Sequence, residues 1–167
     1  MKKGFHIVRM LMLCALAAMV VTACNPDEPE EGEEEIDTVI LTFDNGGPTV
    51  TWTEGEATPT ITLSASTTYN VTAEFRNVAE NENVTTEIQE EDDEHLVCFE
   101  VSGGANVVIA ATDSDGTYPI GLASEWVAGD ASTGTMILKL RHQPGVKDGT
   151  CTPGDSDVEA DFDVVVQ

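Results

Sequence analysis

The chain has 167 residues, with seven Lys and Arg against thirty-one Asp and Glu, a formal charge of −24. So acidic a surface cannot displace the counterions of a phosphate backbone, which disfavours nucleic acid as a partner, and it disfavours direct adhesion to anionic lipid on the same ground. The length suits one domain with a single core and is short for two.

Residues 1–23 have the layout of a secretory signal. Lys2, Lys3 and Arg9 form a positive first region, residues 10–21 form a short apolar run with Cys14 inside it, and small residues follow. The run is well under the ~20 residues needed to cross a hydrocarbon core. At its end, Val21-Thr22-Ala23-Cys24 resembles the lipobox of bacterial lipoproteins. The resemblance implies cleavage between Ala23 and Cys24, acylation of Cys24, and attachment to a membrane through lipid rather than through a spanning helix. The competing reading is a cleaved secretory peptide with an unmodified Cys24, or an uncleaved anchor. Removing the leader leaves four basic residues against thirty-one acids, hence a charge of −27.

Residues 24–36 follow as a tether. From Asn25 to Glu35 the chain reads NPDEPEEGEEE, with nothing aromatic or aliphatic to bury. Such a stretch cannot offset its ordering entropy, and its like charges extend it. Its composition also resembles the acidic export signal of surface lipoproteins, although a plain solvated spacer accounts for the same residues. The expected home is the outer membrane, on its outer or its periplasmic face.

Residues 37–167 read as a series of short β-branched runs broken by turn residues. Runs 39–43 and 49–53, joined through Asn45-Gly46, make a hairpin signal. Alternation follows at 60–63 and at 69–75, where Tyr69, Val71, Ala73 and Phe75 share a face. Further runs lie at 95–101, 106–111, 120–127, 135–141 and 158–166. The interruption is 77–94, where residues 85–91 predict one or two helical turns capped by Thr85 and held by Ile88. The pattern predicts an all-β, antiparallel, immunoglobulin-like sandwich of eight or nine strands, with a small barrel as the competing architecture.

Chemistry-bearing residues are few. Cys98 and Cys151 remain once Cys14 and Cys24 are set aside, and two cysteines outside the cytosol predict one disulfide. It would close a loop of about fifty residues, worth roughly 3–4 kcal/mol on the chain-entropy estimate. Two free thiols are the other reading. His95 and His142 are candidate metal or haem ligands, with Glu94, Asp93 or a cysteine as a third. They are far apart in sequence and lack a local pair spacing, so a solvated or hydrogen-bonded histidine is the competing expectation for each. The five acids preceding His95 predict a raised affinity for its proton. Asp113-Ser114-Asp115-Gly116 offers hard oxygens to calcium, but it lacks the third acid and distal glutamate of an EF-hand loop, and Asp-Gly alone explains a turn. Trp52 and Trp126 are expected in the core, with a sugar-stacking platform as the alternative. No serine–histidine–aspartate order, nucleophile elbow, phosphate loop or nucleotide fingerprint is present, so no catalytic residue is assigned and no enzyme is expected.

Several further segments resemble a family of small, acidic, outer-membrane lipoproteins. They include Val39-Ile40-Leu41-Thr42-Phe43-Asp44-Asn45-Gly46-Gly47, Glu94-His95-Leu96, Ile120-Gly121-Leu122 and the run LRHQPGVKDG at 140–149. Such proteins sometimes carry the label of a type 1 periplasmic binding fold. That fold needs two lobes of alternating strand and helix, about twice this length, and no such alternation occurs here. The stretch 141–149 is the densest basic patch, placed to neutralise neighbouring acids or to meet an acidic partner. The resulting expectation is a lipid-anchored, non-enzymatic accessory or interaction module, partnered by the membrane and an outer-membrane protein complex. The alternative is a lipoprotein capturing a small ligand, metal or haem for an outer-membrane transporter.

Overall fold

The computed structural model describes residues 35–167. The leader, the cleavage and lipidation position at Ala23 and Cys24, and the tether up to residue 34 lie outside the described residues.

Nine strands and one short helix follow in order: β1 (Thr38–Phe43), β2 (Thr49–Thr53), β3 (Thr60–Leu63), β4 (Thr67–Arg76), α1 (Thr85–Glu90), β5 (His95–Ser102), β6 (Val107–Ala111), β7 (Ala123–Ala128), β8 (Ser132–His142) and β9 (Asp155–Val166). They form a five-stranded sheet, β2-β1-β4-β7-β6, packed on a four-stranded sheet, β3-β9-β8-β5. The order β1-β4-β7-β6 is the ABED sheet of an immunoglobulin sandwich, and β5-β8-β9 is its CFG sheet. Strand β2 extends the first sheet and β3 borders the last strand of the second. The expected fold is present.

One pairing departs from the antiparallel expectation. β3 runs parallel to β9, with Thr60 opposite Asp163 and Leu63 opposite Val166. The chain leaves the edge of one sheet after β2 and joins the free edge of the other. Alternation in four residues sets which face is buried, not which way the strand points.

Period two places the core. In β9, Val158, Ala160, Phe162, Val164 and Val166 are buried, while Glu159, Asp161 and Asp163 face out. Met136, Leu138 and Leu140 of β8 meet them, and Tyr69, Val71, Ala73 and Phe75 of β4 line the opposite sheet. Strand β7 of the first sheet begins later than the run at 120–127 predicts. Ile120 and Leu122 are buried but lie outside it, because their carbonyls bridge the two sheets. Val97 of β5 donates its N–H to Ile120 at 2.7 Å, and Ala73 of β4 donates to Leu122 at 2.8 Å.

Helix α1 forms where expected and buries Ile88. Thr85 does not cap it, however. The cap position is Val84, without a side-chain bond. The Thr85 hydroxyl instead accepts from the Phe75 N–H at 2.8 Å and donates to the Phe75 carbonyl at 3.2 Å. It fastens the helix to β4.

Candidate functional site

Two histidines that stand 47 residues apart in the sequence are direct cross-strand partners. His95 opens β5, His142 closes β8, and the register pairs them. Their rings stack with centroids 4.7 Å apart and planes 5° from parallel. The pair closes one end of the sandwich, below the C-terminal end of α1. There the Glu91 carbonyl accepts from His95 Nδ1 at 3.2 Å, and the Glu91 carboxylate lies 3.9 Å from the same nitrogen. On the other side of the ring, Asp157 Oδ2 is 3.8 Å from His95 Nε2, and Glu94 Oε2 is 3.6 Å from His142 Nε2. Both Nε2 atoms are buried without a hydrogen-bond partner.

Asp157 arrives through a bulge. β8 and β9 pair Leu140 with Val158 but Arg141 with Ser156, which leaves Asp157 as the extra residue. A bulge re-aims a side chain that strict alternation would send elsewhere. The loop that delivers β9 passes close to this end as well. Gly154 has φ +75°, and a Cβ there would collide with the His142 carbonyl, so only glycine serves. Gln143, fully buried, donates to the Thr150 and Pro153 carbonyls at 2.9 Å each and pins the same loop.

The expected raised proton affinity of His95 is overturned. Its ring is 0% exposed, and burial pushes its pKa below that of a free imidazole. The Glu91 carbonyl raises it again, His142 lowers it, Glu94 raises it and Lys147 lowers it. Loss of water around a charge outweighs the acids that precede the ring in sequence. Of the competing expectation, a solvated or hydrogen-bonded histidine, His95 takes the second form, buried with its Nδ1 bonded to the Glu91 carbonyl.

The other predicted residues have separate, structural roles. Cys98 and Cys151 are bonded, with Cα atoms 6.1 Å apart across a separation of 53 residues. Asp113 Oδ1 accepts from Gly121 N–H at 2.7 Å and Oδ2 from Ala123 N–H at 2.9 Å. Asp115 Oδ1 accepts from Thr117 and Tyr118, and its Oδ2 lies 2.8 Å from Lys147 Nζ. The two carboxylates thus brace their own loop and do not join the histidines. Calcium at Asp113 and Asp115 receives no support from this arrangement, since backbone amides and the Lys147 ammonium already occupy the oxygens. Trp126 is a core residue at 0% exposure and Trp52 is half-buried against the core. Within the basic stretch Lys147 pairs with a neighbouring acid, Asp115. Arg141 donates instead to Ser156 Oγ at 2.6 Å and to the Pro153 and Gly154 carbonyls.

The Asp115–Lys147 pair gives a pH expectation. The Lys147 ammonium, followed by the Tyr118 and Thr117 amides, holds the Asp115 carboxyl at about 2, below its usual 3.8. A depressed carboxylate contributes stability that is whole above 3.8 and disappears as pH falls through about 2. Carboxyl ¹³C NMR should put the Asp115 midpoint near 2 in the wild type. In Lys147→Met it should rise, yet stay under 3.8 because the two amides remain. An unchanged midpoint would show that the ammonium does not govern this carboxylate.

Among the described residues, Glu91, His95 and His142 are the group of three or more metal-ligating side chains brought together, their donor atoms all within 4.8 Å of one another. A cavity of about 380 Å³ lined by Asp93, Glu94, Asp115, Tyr118 and Lys147 opens beside Glu94. The two histidines were visible in the sequence. Glu91 was visible only as a glutamate four residues before a histidine, and nothing local marked Asp157. Fold and site together define a disulfide-bridged all-β sandwich with a stacked histidine pair at one end, His95 buried and His142 half-buried, flanked by carboxylates. Comparison with protein-family models, curated proteins and solved structures finds no match to this chain.

Proposed function

We propose that this chain is a lipid-anchored, non-enzymatic accessory or interaction module of the outer membrane. The observation that carries the reading is a junction. The lipobox-like Val21-Thr22-Ala23-Cys24 and an acidic stretch lead directly to Ile36, the first residue of the core, 7% exposed. A folded body that starts where the spacer stops suits presentation at a membrane by a lipid tether. The bracing roles of Asp113, Asp115, Arg141 and Gln143 suit a rigid interaction scaffold. Capture of a metal or small ligand for a transporter is the second reading, favoured by the convergence of His95 and His142.

The anchor is tested in the chain's own host. Wild-type protein should label with radioactive palmitate and partition with the outer membrane, while Cys24→Ser should lose the label and leave that fraction. Equal labelling and fractionation of the two would remove the lipid anchor from the proposal. Cross-linking in intact envelopes followed by affinity purification reads out the partner, and an envelope protein enriched over a Cys24→Ser control is the expected result.

A further inference from the structure

We infer that Glu91, His95 and His142 form a site for a borderline divalent transition metal of the zinc class. The inference does not rest on lipidation or on the accessory reading, and it holds whichever of them fails.

The donor set carries the argument. Two imidazoles and a carboxylate suit zinc and its neighbours, whereas magnesium and calcium prefer an all-oxygen shell. One nitrogen from each ring and one Glu91 oxygen already lie within 4.8 Å of one another. Tetrahedral ligands at ~2.0–2.1 Å from zinc stand ~3.4 Å apart, so the widest of these separations must close by up to about 1.4 Å. The stacked rings aim their in-plane lone pairs along parallel planes, so ligation also requires the half-buried His142 ring to turn out of the stack as Glu91, the residue immediately after α1, rotates toward it.

The surroundings match what ligating histidines need. A metal-bound imidazole donates its other N–H to a carboxylate, which fixes the tautomer and raises ligand basicity. On one edge His95 Nδ1 faces the Glu91 carboxylate at 3.9 Å, and on the other its Nε2 faces Asp157 Oδ2 at 3.8 Å. Ligation through Nδ1 moves the ring proton to Nε2, where it points at Asp157. It thereby provides a use for a fully buried ring nitrogen that is otherwise without a hydrogen-bond partner. Glu94 adds another carboxylate, 3.6 Å from His142 Nε2, and lines a neighbouring cavity. Lys147 is the nearby cation that opposes a metal. Its ammonium is engaged by Asp115 at 2.8 Å and by the Asp92 carbonyl at 2.5 Å. The metal would clip the end of α1 to the last residue of β8, a contact now made through stacked rings and one carbonyl.

The test uses the full chain, disulfide intact, purified in detergent, stripped with EDTA and titrated with Zn²⁺ by calorimetry. Expected is one ion per chain, with the His95 and His142 ring resonances shifting in NMR at the same stoichiometry. Glu91→Gln and His142→Asn should each weaken binding at least tenfold, and Asp157→Asn by about 10–100-fold. Glu125→Gln, an exposed acid on β7, should leave the affinity unchanged. Because His95→Gln disturbs a fully buried residue, Glu91→Gln and His142→Asn are the deciding variants, each checked for wild-type circular dichroism. Several weak sites per chain, with an affinity that neither of these two variants alters, would assign the binding to the acidic surface and overturn the inference. Cys24→Ser should bind as wild type, which keeps this result separate from that of the anchor.

Discussion

Breaking the Cys98–Cys151 bond should lower the stability of the domain by about 4 kcal/mol, the chain-entropy estimate for a loop of this size. For a domain of this length that corresponds to a fall in Tm of roughly 10–20 °C. The bond joins a fully buried residue of β5 to an exposed residue of the loop before β9, across 53 residues of chain. Within that closed loop lie β6, β7 and β8, so the reduced unfolded chain regains the freedom of most of the second half of the molecule. Cys151→Ser is the clean variant, because its side chain is exposed and the substitution leaves Cys98 in place. Thermal unfolding should rank the oxidised wild type first, with reduced wild type and Cys151→Ser together below it. Coincident curves for all three would mean that the bridge contributes no net stability.

Replacing Trp126 with alanine should cost about 3–5 kcal/mol, among the larger single losses a core of this size sustains. The ring is fully buried on β7 and joins the two sheets. It meets Phe43 of its own sheet edge-on at 5.0 Å and 79°, and Phe99 of the facing sheet at 5.6 Å and 77°. Each edge-to-face pair contributes about 0.5–1.5 kcal/mol beyond the area it buries. The indole N–H donates to Ser124 Oγ at 2.9 Å, at a position where Ser124 is itself buried. Trp126→Phe keeps most of the packing and strands that hydroxyl, a loss of about 1–3 kcal/mol. Denaturant unfolding at equilibrium should therefore order the variants wild type, Phe, Ala. An alanine variant within about 1 kcal/mol of wild type would show that the sheets are held elsewhere.

Much of the architecture was legible because it is local. The pairs Tyr69–Val71 and Ala73–Phe75, or Phe162–Val164–Val166, declare their buried face through a two-residue period that survives in any antiparallel or parallel sheet. Turn chemistry at Asn45-Gly46 delimits the first hairpin in the same way, with both residues at positive φ. Direction was not legible, and the parallel placement of β3 on β9 is the consequence. Thr85 misled for a related reason. Threonine before an acidic helical turn is a capping signal, but a hydroxyl within reach of both polar groups of Phe75 satisfies two partners on a neighbouring strand at once.

The site divides along the same line. Residue type made His95 and His142 candidates, and composition made an acidic surround certain. That the two rings stack depends on the register between β5 and β8, and the third ligand depends on where α1 ends. The proximity of Asp157 depends on the register shift between β8 and β9. Burial then reversed the proton affinity that neighbouring acids suggested for His95.

By itself the sequence determined the acidity, the β-rich alternation, the leader-like first 23 residues and which side chains could bind or bridge. Only the tertiary structure decided which of them meet. Periodicity and charge are properties of neighbours along the chain, whereas the convergence of positions 91, 95, 142 and 157 is set by strand register and by water lost on packing, both of them long-range.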